Sequence, residues 1–330
     1  MKTLQHLVDN HDGWHISLHQ TYDPDRLRPE RPPVLIVPGY GMNSFIFSYH
    51  PSGISLEGHL AAAGFEIWRA DLRGQGGSVS FGGGENYRLD DLSMIDLPVA
   101  IEAALARTVT RCHRVIVVGA SLGGSVMFGH VALSASHRIA AMVAMGSPLR
   151  WVRIHPLVRI AFVSPTLVGL VRLRGTRRLA EHLLPYLATR SPWLLSIYMN
   201  PEITDTRAAK EMVRTVEDPN RFINREIAEW MKRRDLIIRG VNIADRLREI
   251  EVPLLCVAAK GDGVVPRDTA AFPYYQSGAR TKELVEVGDE LVAMAHADLF
   301  VSIEAHRRVF EPISDWLLAL PSEIGEPSAA

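Results

Sequence analysis

The chain has only two cysteines, Cys112 and Cys256, in 330 residues. One follows a helical run and the other lies inside an apolar, strand-like run, so neither a disulfide framework nor a thiolate metal site is implied. Net charge is equally scarce: 36 Lys and Arg stand against 37 Asp and Glu, leaving a formal charge of -1. Such a balance gives no electrostatic reason to bind nucleic acid. No stretch reaches the ~20 unbroken apolar residues of a membrane span, and Met1 to His6 lacks the apolar core of a secretory leader. A soluble, cytoplasmic protein is the expectation. No Gly-x-Gly-x-x-Gly follows a strand-like run, so a dinucleotide site is unsupported and no cofactor is expected.

Apolar content is ample, at 47% of residues, enough for a large core. Val115-Ile116-Val117-Val118 is a β-branched run without polar alternation, as in a strand buried on both faces of a parallel sheet. It runs into Gly119-Ala120-Ser121-Leu122-Gly123, which opens a helix. A strand that turns into a helix this abruptly forces its central residue into a sparsely populated backbone region, and Gly119, Gly123 and Gly124 supply room for the close passage. Ser121 would then stand at the carboxyl end of the sheet, making it the candidate nucleophile, with the Leu122 amide at the positive end of a helix. An ordinary strand-to-helix turn containing serine has the same short pattern.

Other segments repeat the rhythm. Val34 to Val37 reads as a strand entering Pro38-Gly39-Tyr40-Gly41, where the Tyr40 amide could join that of Leu122 in an oxyanion hole. Helices are expected over 56–63 and 91–109, and strands over 13–22, 65–70, 139–145, 252–259 and 284–287. Alternation of this kind predicts a mostly parallel sheet with right-handed crossovers. His6, His11, His15 and His19 invite a metal reading, but His15 and His19 on one strand would lie about 13 Å apart. Solvated polar positions are the better account of them.

After the 65–70 strand comes Asp71-Leu72-Arg73-Gly74-Gln75-Gly76-Gly77-Ser78. This segment resembles the α/β-hydrolase superfamily, whose members carry an Asp-x-Arg-Gly-x-Gly-x-Ser turn after the fourth strand. The stretch from Val37 to Ser78 is also similar to the poly(hydroxyalkanoate) synthase and lipase-like branches, although those synthases have a cysteine where Ser121 stands. The resemblance implies an α/β-hydrolase fold, a mostly parallel central sheet flanked by helices. Asp262, in Gly261-Asp262-Gly263-Val264-Val265-Pro266, matches the superfamily's triad acid. His296 resembles its catalytic histidine, with Ala295 where glycine is usual. Asp289 and Asp298 remain open as stand-ins for the acid. Ser121, Asp262 and His296 follow the chain order of this fold. Dehalogenases and epoxide hydrolases of the superfamily place aspartate at the serine position, which points away from those chemistries.

From about 149 to 239 no convincing buried strand appears. Segments near 155–172, 176–190, 206–216 and 221–235 read as helices punctuated by Pro165, Pro192, Pro201 and Pro219. The expected division is a hydrolase core over 1–148 and 241–330, with a helical cap over 149–240 inserted after the strand that follows the nucleophile helix. The first part of the cap is apolar and basic, with Arg150, Arg153, Arg159, Arg172, Arg174, Arg177 and Arg178 before the first acid, Glu181. It reads either as a lid over an acyl chain that touches anionic lipid surfaces or as a packed helix with a solvated arginine face. Hydrolysis of a small-molecule ester with an apolar acyl or alcohol part is the expected activity. An acyltransferase or lactonase would use the same residues, and a ligand-sensing protein with slow turnover is the alternative of another class.

Overall fold

The computed structural model describes residues 1–170 and 174–321. Arg172, one of the basic residues noted above, and the end of the 155–172 helix lie outside the described residues. Eight strands follow in chain order: β1 (Lys2–Asp9), β2 (Trp14–Tyr22), β3 (Val34–Val37), β4 (Ile67–Asp71), β5 (Val115–Ala120), β6 (Ile139–Met145), β7 (Leu254–Ala259) and β8 (Lys282–Val287). Their order across the sheet is β1-β2-β4-β3-β5-β6-β7-β8, and a ninth strand, Val79–Ser80, pairs with β2. β1 and β2 run antiparallel, as do β2 and β4, while every pairing from β4 to β8 is parallel.

The unbroken apolar runs are explained by burial on both sides. Val115 and Val117 of β5 enter one core, and Ile116, Val118 and Ala120 enter the other. Helix α1 (Leu56–Ala62), α2 (Leu97–Arg107) and α3 (Leu122–Leu133) belong to the crossovers between strands, and α1 begins at Ser55, whose hydroxyl accepts from the Gly58 amide. Residues 92–96 ahead of α2 form a π-turn, and Pro98, which has no N–H, loosens the ladder there.

The strand β1 is not expected from the sequence. Its residues are mostly exposed, and an edge strand lacks the apolar alternation that marks a half-buried one. His11 is exposed as expected, but His6, His15 and His19 are half-buried. His6 lies 5.3 Å, ring to ring, from Trp68, and His15 lies 5.1 Å from Phe81.

Between β6 and β7 the chain is helical, with α4 (Pro156–Ala161), α5 (Pro165–Leu170), α6 (Thr176–Arg190) and α7 (Arg221–Arg233) as its longer helices. One small hairpin, Ile237–Ile238 with Val241–Asn242, interrupts it. The break expected at Pro165 within the 155–172 segment is present: α4 ends at Ala161, and Pro165 restarts the chain as the first residue of α5. Helix α8 (Glu311–Ala319) closes the described chain and buries Ile313, Trp316 and Leu317 in the second core.

Candidate active site

Ser121 sits between β5 and α3 with φ 50 and ψ −121. A non-glycine residue held there costs on the order of 1–3 kcal/mol, which the surrounding structure must offset. Its amide donates to the Met145 carbonyl (2.8 Å), fixing the turn to the neighbouring strand. The turn is closed by glycines: a Cβ at Gly123 would overlap the carbonyl oxygen of Val37, and Gly119 and Gly124 pack backbone to backbone. Ser121 itself is nearly buried, and its side chain makes no hydrogen bond among the described residues.

Asp262 follows β7. Its Oδ1 accepts from the amides of Val264 (2.8 Å) and Val265 (2.7 Å), which fixes the carboxylate plane. Its Oδ2 lies 2.6 Å from Nδ1 of His296. The histidine is buried, and Nε2 makes no hydrogen bond among the described residues. A Cβ at Gly146 would lie 3.2 Å from both Cε1 and Nδ1 of His296, so the ring rests against the residue that follows Met145. Met145 is also the acceptor for the Ser121 amide. The three residues expected from the sequence thus converge at the carboxyl ends of β5, β6 and β7, with His296 bonded to Asp262 and, among the described residues, no hydrogen bond between His296 and Ser121.

The other two candidate carboxylates are engaged elsewhere. Asp289 accepts from the Leu291 and Val292 amides and pairs with Arg308 (2.9 Å). Asp298 is fully buried and accepts from the amides of Ala295 (2.7 Å) and Asn200 (2.9 Å) and from the Thr204 hydroxyl (3.0 Å). Burial pushes its pKa up to about 6, with the neighbouring Asp262 charge adding to the shift and the hydrogen bonds opposing it. The glycine usual before the histidine is dispensable here, because Ala295 does not have a positive φ and its amide serves Asp298.

The Tyr40 amide donates no hydrogen bond among the described residues, and neither does that of Leu122. The Tyr40 hydroxyl is bonded to Asn224 of α7, and burial raises its pKa above the usual phenol range. Gly39, one residue earlier, lies against the Ser121 turn, since a Cβ there would come within 2.9 Å of the Ser121 Cβ. Two contacts of the segment from Asp71 to Ser78 escaped the sequence reading. Gln75, within the Asp-x-Arg-Gly segment, donates from Nε2 to the Gly39 carbonyl (3.1 Å). Arg73, three per cent exposed at its side chain, is paired with the fully buried Asp96 of the π-turn (2.8 Å). The signal for Gln75 was the segment itself, while Asp96 had none.

The helical insertion between β6 and β7 is tied to all these loops. Gly263 donates to the Ile197 carbonyl (2.9 Å), Ala297 to Tyr198 (2.7 Å), Asn43 to Thr215 (2.8 Å), and Glu217 donates to Gly41 (2.9 Å). The Tyr198 ring lies 6.3 Å from that of His296. Among the described residues no group of three or more His, Cys, Asp or Glu side chains could hold a metal ion, and no helix is long and apolar enough to cross a membrane.

The model of the alpha/beta hydrolase family matches residues 34–311. A thermophilic esterase from Thermogutta terrifontis is 17% identical with a TM-score of 0.62, over 98% of this chain and 100% of that one. An esterase from Rhodococcus sp. ECU1013 is 17% identical with a TM-score of 0.62, over 97% and 100%. The enol-lactonase from Burkholderia xenovorans LB400 is 15% identical with a TM-score of 0.60, over 96% and 100%. At these identities the likeness is one of fold. No curated protein sequence matches the chain.

Proposed function

We propose, from the premise that the chain belongs to the alpha/beta hydrolase family, that it hydrolyses carboxylic esters with an apolar acyl or alcohol part through a serine acyl-enzyme. The observation that carries this reading is the 2.6 Å contact of His296 Nδ1 with Asp262, on a ring that rests against Gly146 beside the Ser121 turn. Asp262 holds the proton on Nδ1 and leaves Nε2 as the base. His296 takes the Ser121 proton as Oγ attacks the carbonyl carbon, then returns it to the departing alcohol. Water repeats the attack on the acyl-enzyme with the same base, releasing the acid and restoring the serine.

The unengaged Tyr40 and Leu122 amides would hold the oxyanion of the tetrahedral intermediate, and a donor in such a position contributes roughly 3 kcal/mol in comparable sites. Residues 149–240 act in this reading as a cap, which is supported by the backbone bonds from Ile197 and Tyr198 to the acid and histidine loops. Excluding water there strengthens each electrostatic contact during acylation.

The test is hydrolysis of p-nitrophenyl esters from acetate to palmitate by the wild type and by Ser121→Ala. A fall in turnover on the order of a million-fold in the variant supports the serine mechanism, and the best chain length measures the acyl site. Turnover unchanged in the variant, or absent from both, refutes the proposal.

A further inference from the structure

Helices α4 and α5 contain no fully buried residue. Leu157, Ile160, Val163, Leu167 and Leu170 are between 47% and 72% exposed. About half of the exposed large apolar side chains among the described residues fall between Val152 and Tyr198, a concentration that marks an interaction surface. Beside this ridge, between α4–α5 and α7, lies a cleft of about 920 Å³. Its rim carries Arg159, Arg225, Lys232, Arg233 and Arg234 against one acid, Glu229. Glu229 already pairs with Arg225 (3.0 Å) and lies 3.7 Å from Arg233, while Arg159 and Lys232 form no ion pair among the described residues. Phe162 and Met231 line the interior.

We propose that this face docks onto an anionic phospholipid bilayer, with headgroup phosphates entering the basic cleft and Ile160, Val163 and Leu167 entering the acyl boundary. Charge complementarity selects this occupant. The whole chain is nearly neutral, so the basic rim is a local asymmetry, and a polybasic rim beside protruding apolar side chains matches an anionic interface. A second copy seated symmetrically on the same face would oppose one basic rim to another, at the cost of like-charge contact. The helices lie on the surface in this arrangement, since among the described residues no helix is long and apolar enough to cross it. Phe162 also meets the Tyr40 ring at 6.3 Å, so the cleft backs onto the loop beside the serine. The proposal stands on the surface alone and does not require the esterase reading.

Co-sedimentation of the full chain with vesicles of phosphatidylcholine, or of phosphatidylcholine with phosphatidylglycerol, tests it directly. The expected result is binding to the anionic vesicles that weakens at high salt and far weaker binding to the neutral ones. Arg159→Gln with Lys232→Gln should lower the anionic partition coefficient by roughly 25-fold, at about fivefold per basic side chain near the surface. Ile160→Gln with Leu167→Gln should also release the protein, and the circular dichroism melt of both double variants should match the wild type. Absence of binding to anionic vesicles at low salt overturns the proposal. So does equal binding to neutral vesicles, or binding unaffected by folded variants. A concentration-dependent dimer in light scattering without lipid, dispersed by the apolar variants and unaccompanied by vesicle binding, would assign the face to a second copy instead.

Discussion

Asn200 reaches from the helical insertion to Asp298, its amide nitrogen 2.9 Å from Oδ2, and the same oxygen takes the amide proton of Ala295, one residue before His296. One buried carboxylate therefore joins the covering segment to the histidine loop. Burial raises its pKa from 3.8 to about 6. Within that window the folded chain keeps a proton that the unfolded chain has released, so this group's contribution to stability is complete below 3.8 and is lost as pH rises through about 6. The change is ~3 kcal/mol by linkage. Urea unfolding from pH 4 to pH 7 should show the advantage of wild type over Asp298→Asn shrinking across that window. A pH-independent difference between the two proteins would contradict the assignment.

Asp262→Asn provides a test of the histidine tautomer. The Val264 and Val265 amides would hold the new side-chain oxygen where Oδ1 is now, turning the amide nitrogen toward His296. Nδ1 must then accept, Nε2 carries the proton, and the ring can no longer take one from Ser121. Turnover of a p-nitrophenyl ester should fall by about 10⁴-fold with little change in the melt. A loss below tenfold would remove Asp262 from the proposed chemistry.

Gly146 tests the seating of the ring. It has φ +55, and a Cβ would press 3.2 Å from His296. Gly146→Ala should cost about 1–2 kcal/mol from the left-handed backbone and displace the imidazole, lowering kcat by up to about 10²-fold. KM should change far less than kcat. Unaltered kcat at reduced stability would mean that the ring has room to move.

The pair of Arg73 and Asp96 tests how the segment that carries Gln75 is held. Asp96 is fully buried and its partner nearly so, so Asp96→Ala leaves Arg73 with only the half-exposed Asp12 as counter-charge and should cost about 3 kcal/mol in unfolding free energy, the low end for a broken buried pair. Replacing both partners with apolar residues, Arg73→Met with Asp96→Leu, should restore most of it. Failure of the double variant to recover would show that the additional bonds Asp96 makes to the Asn10 side chain and the Arg73 amide carry the stability.

These contacts also show where sequence reading reached its limit. The parallel strands were legible because burial on both faces writes itself as continuous β-branched runs, as in Val115 to Val118. The chain order of Ser121, Asp262 and His296 was legible because each follows a strand, where a few local residues fix the turn. The contact between Asn200 and Asp298 spans 98 positions and has no local signature. β1 was hidden because an exposed edge leaves its pattern free to vary, whereas the break between α4 and α5 was legible in Pro165 itself.

The four backbone bonds that tie the insertion to the loops around the site bear on how a molecule gets in. Gly263, Ala297, Asn43 and Glu217 moor it on several sides, so lifting it as one rigid plate would break all four at about 0.5–1.5 kcal/mol each and expose the apolar contacts beneath. The described residues of α4 and α5 make no backbone hydrogen bond beyond their own turns. In the proposed reading, parting these two helices breaks fewer bonds than lifting the whole insertion, which favours entry there. The amides of Gly263 and Ala297 should then exchange with solvent far more slowly than those of α4 and α5.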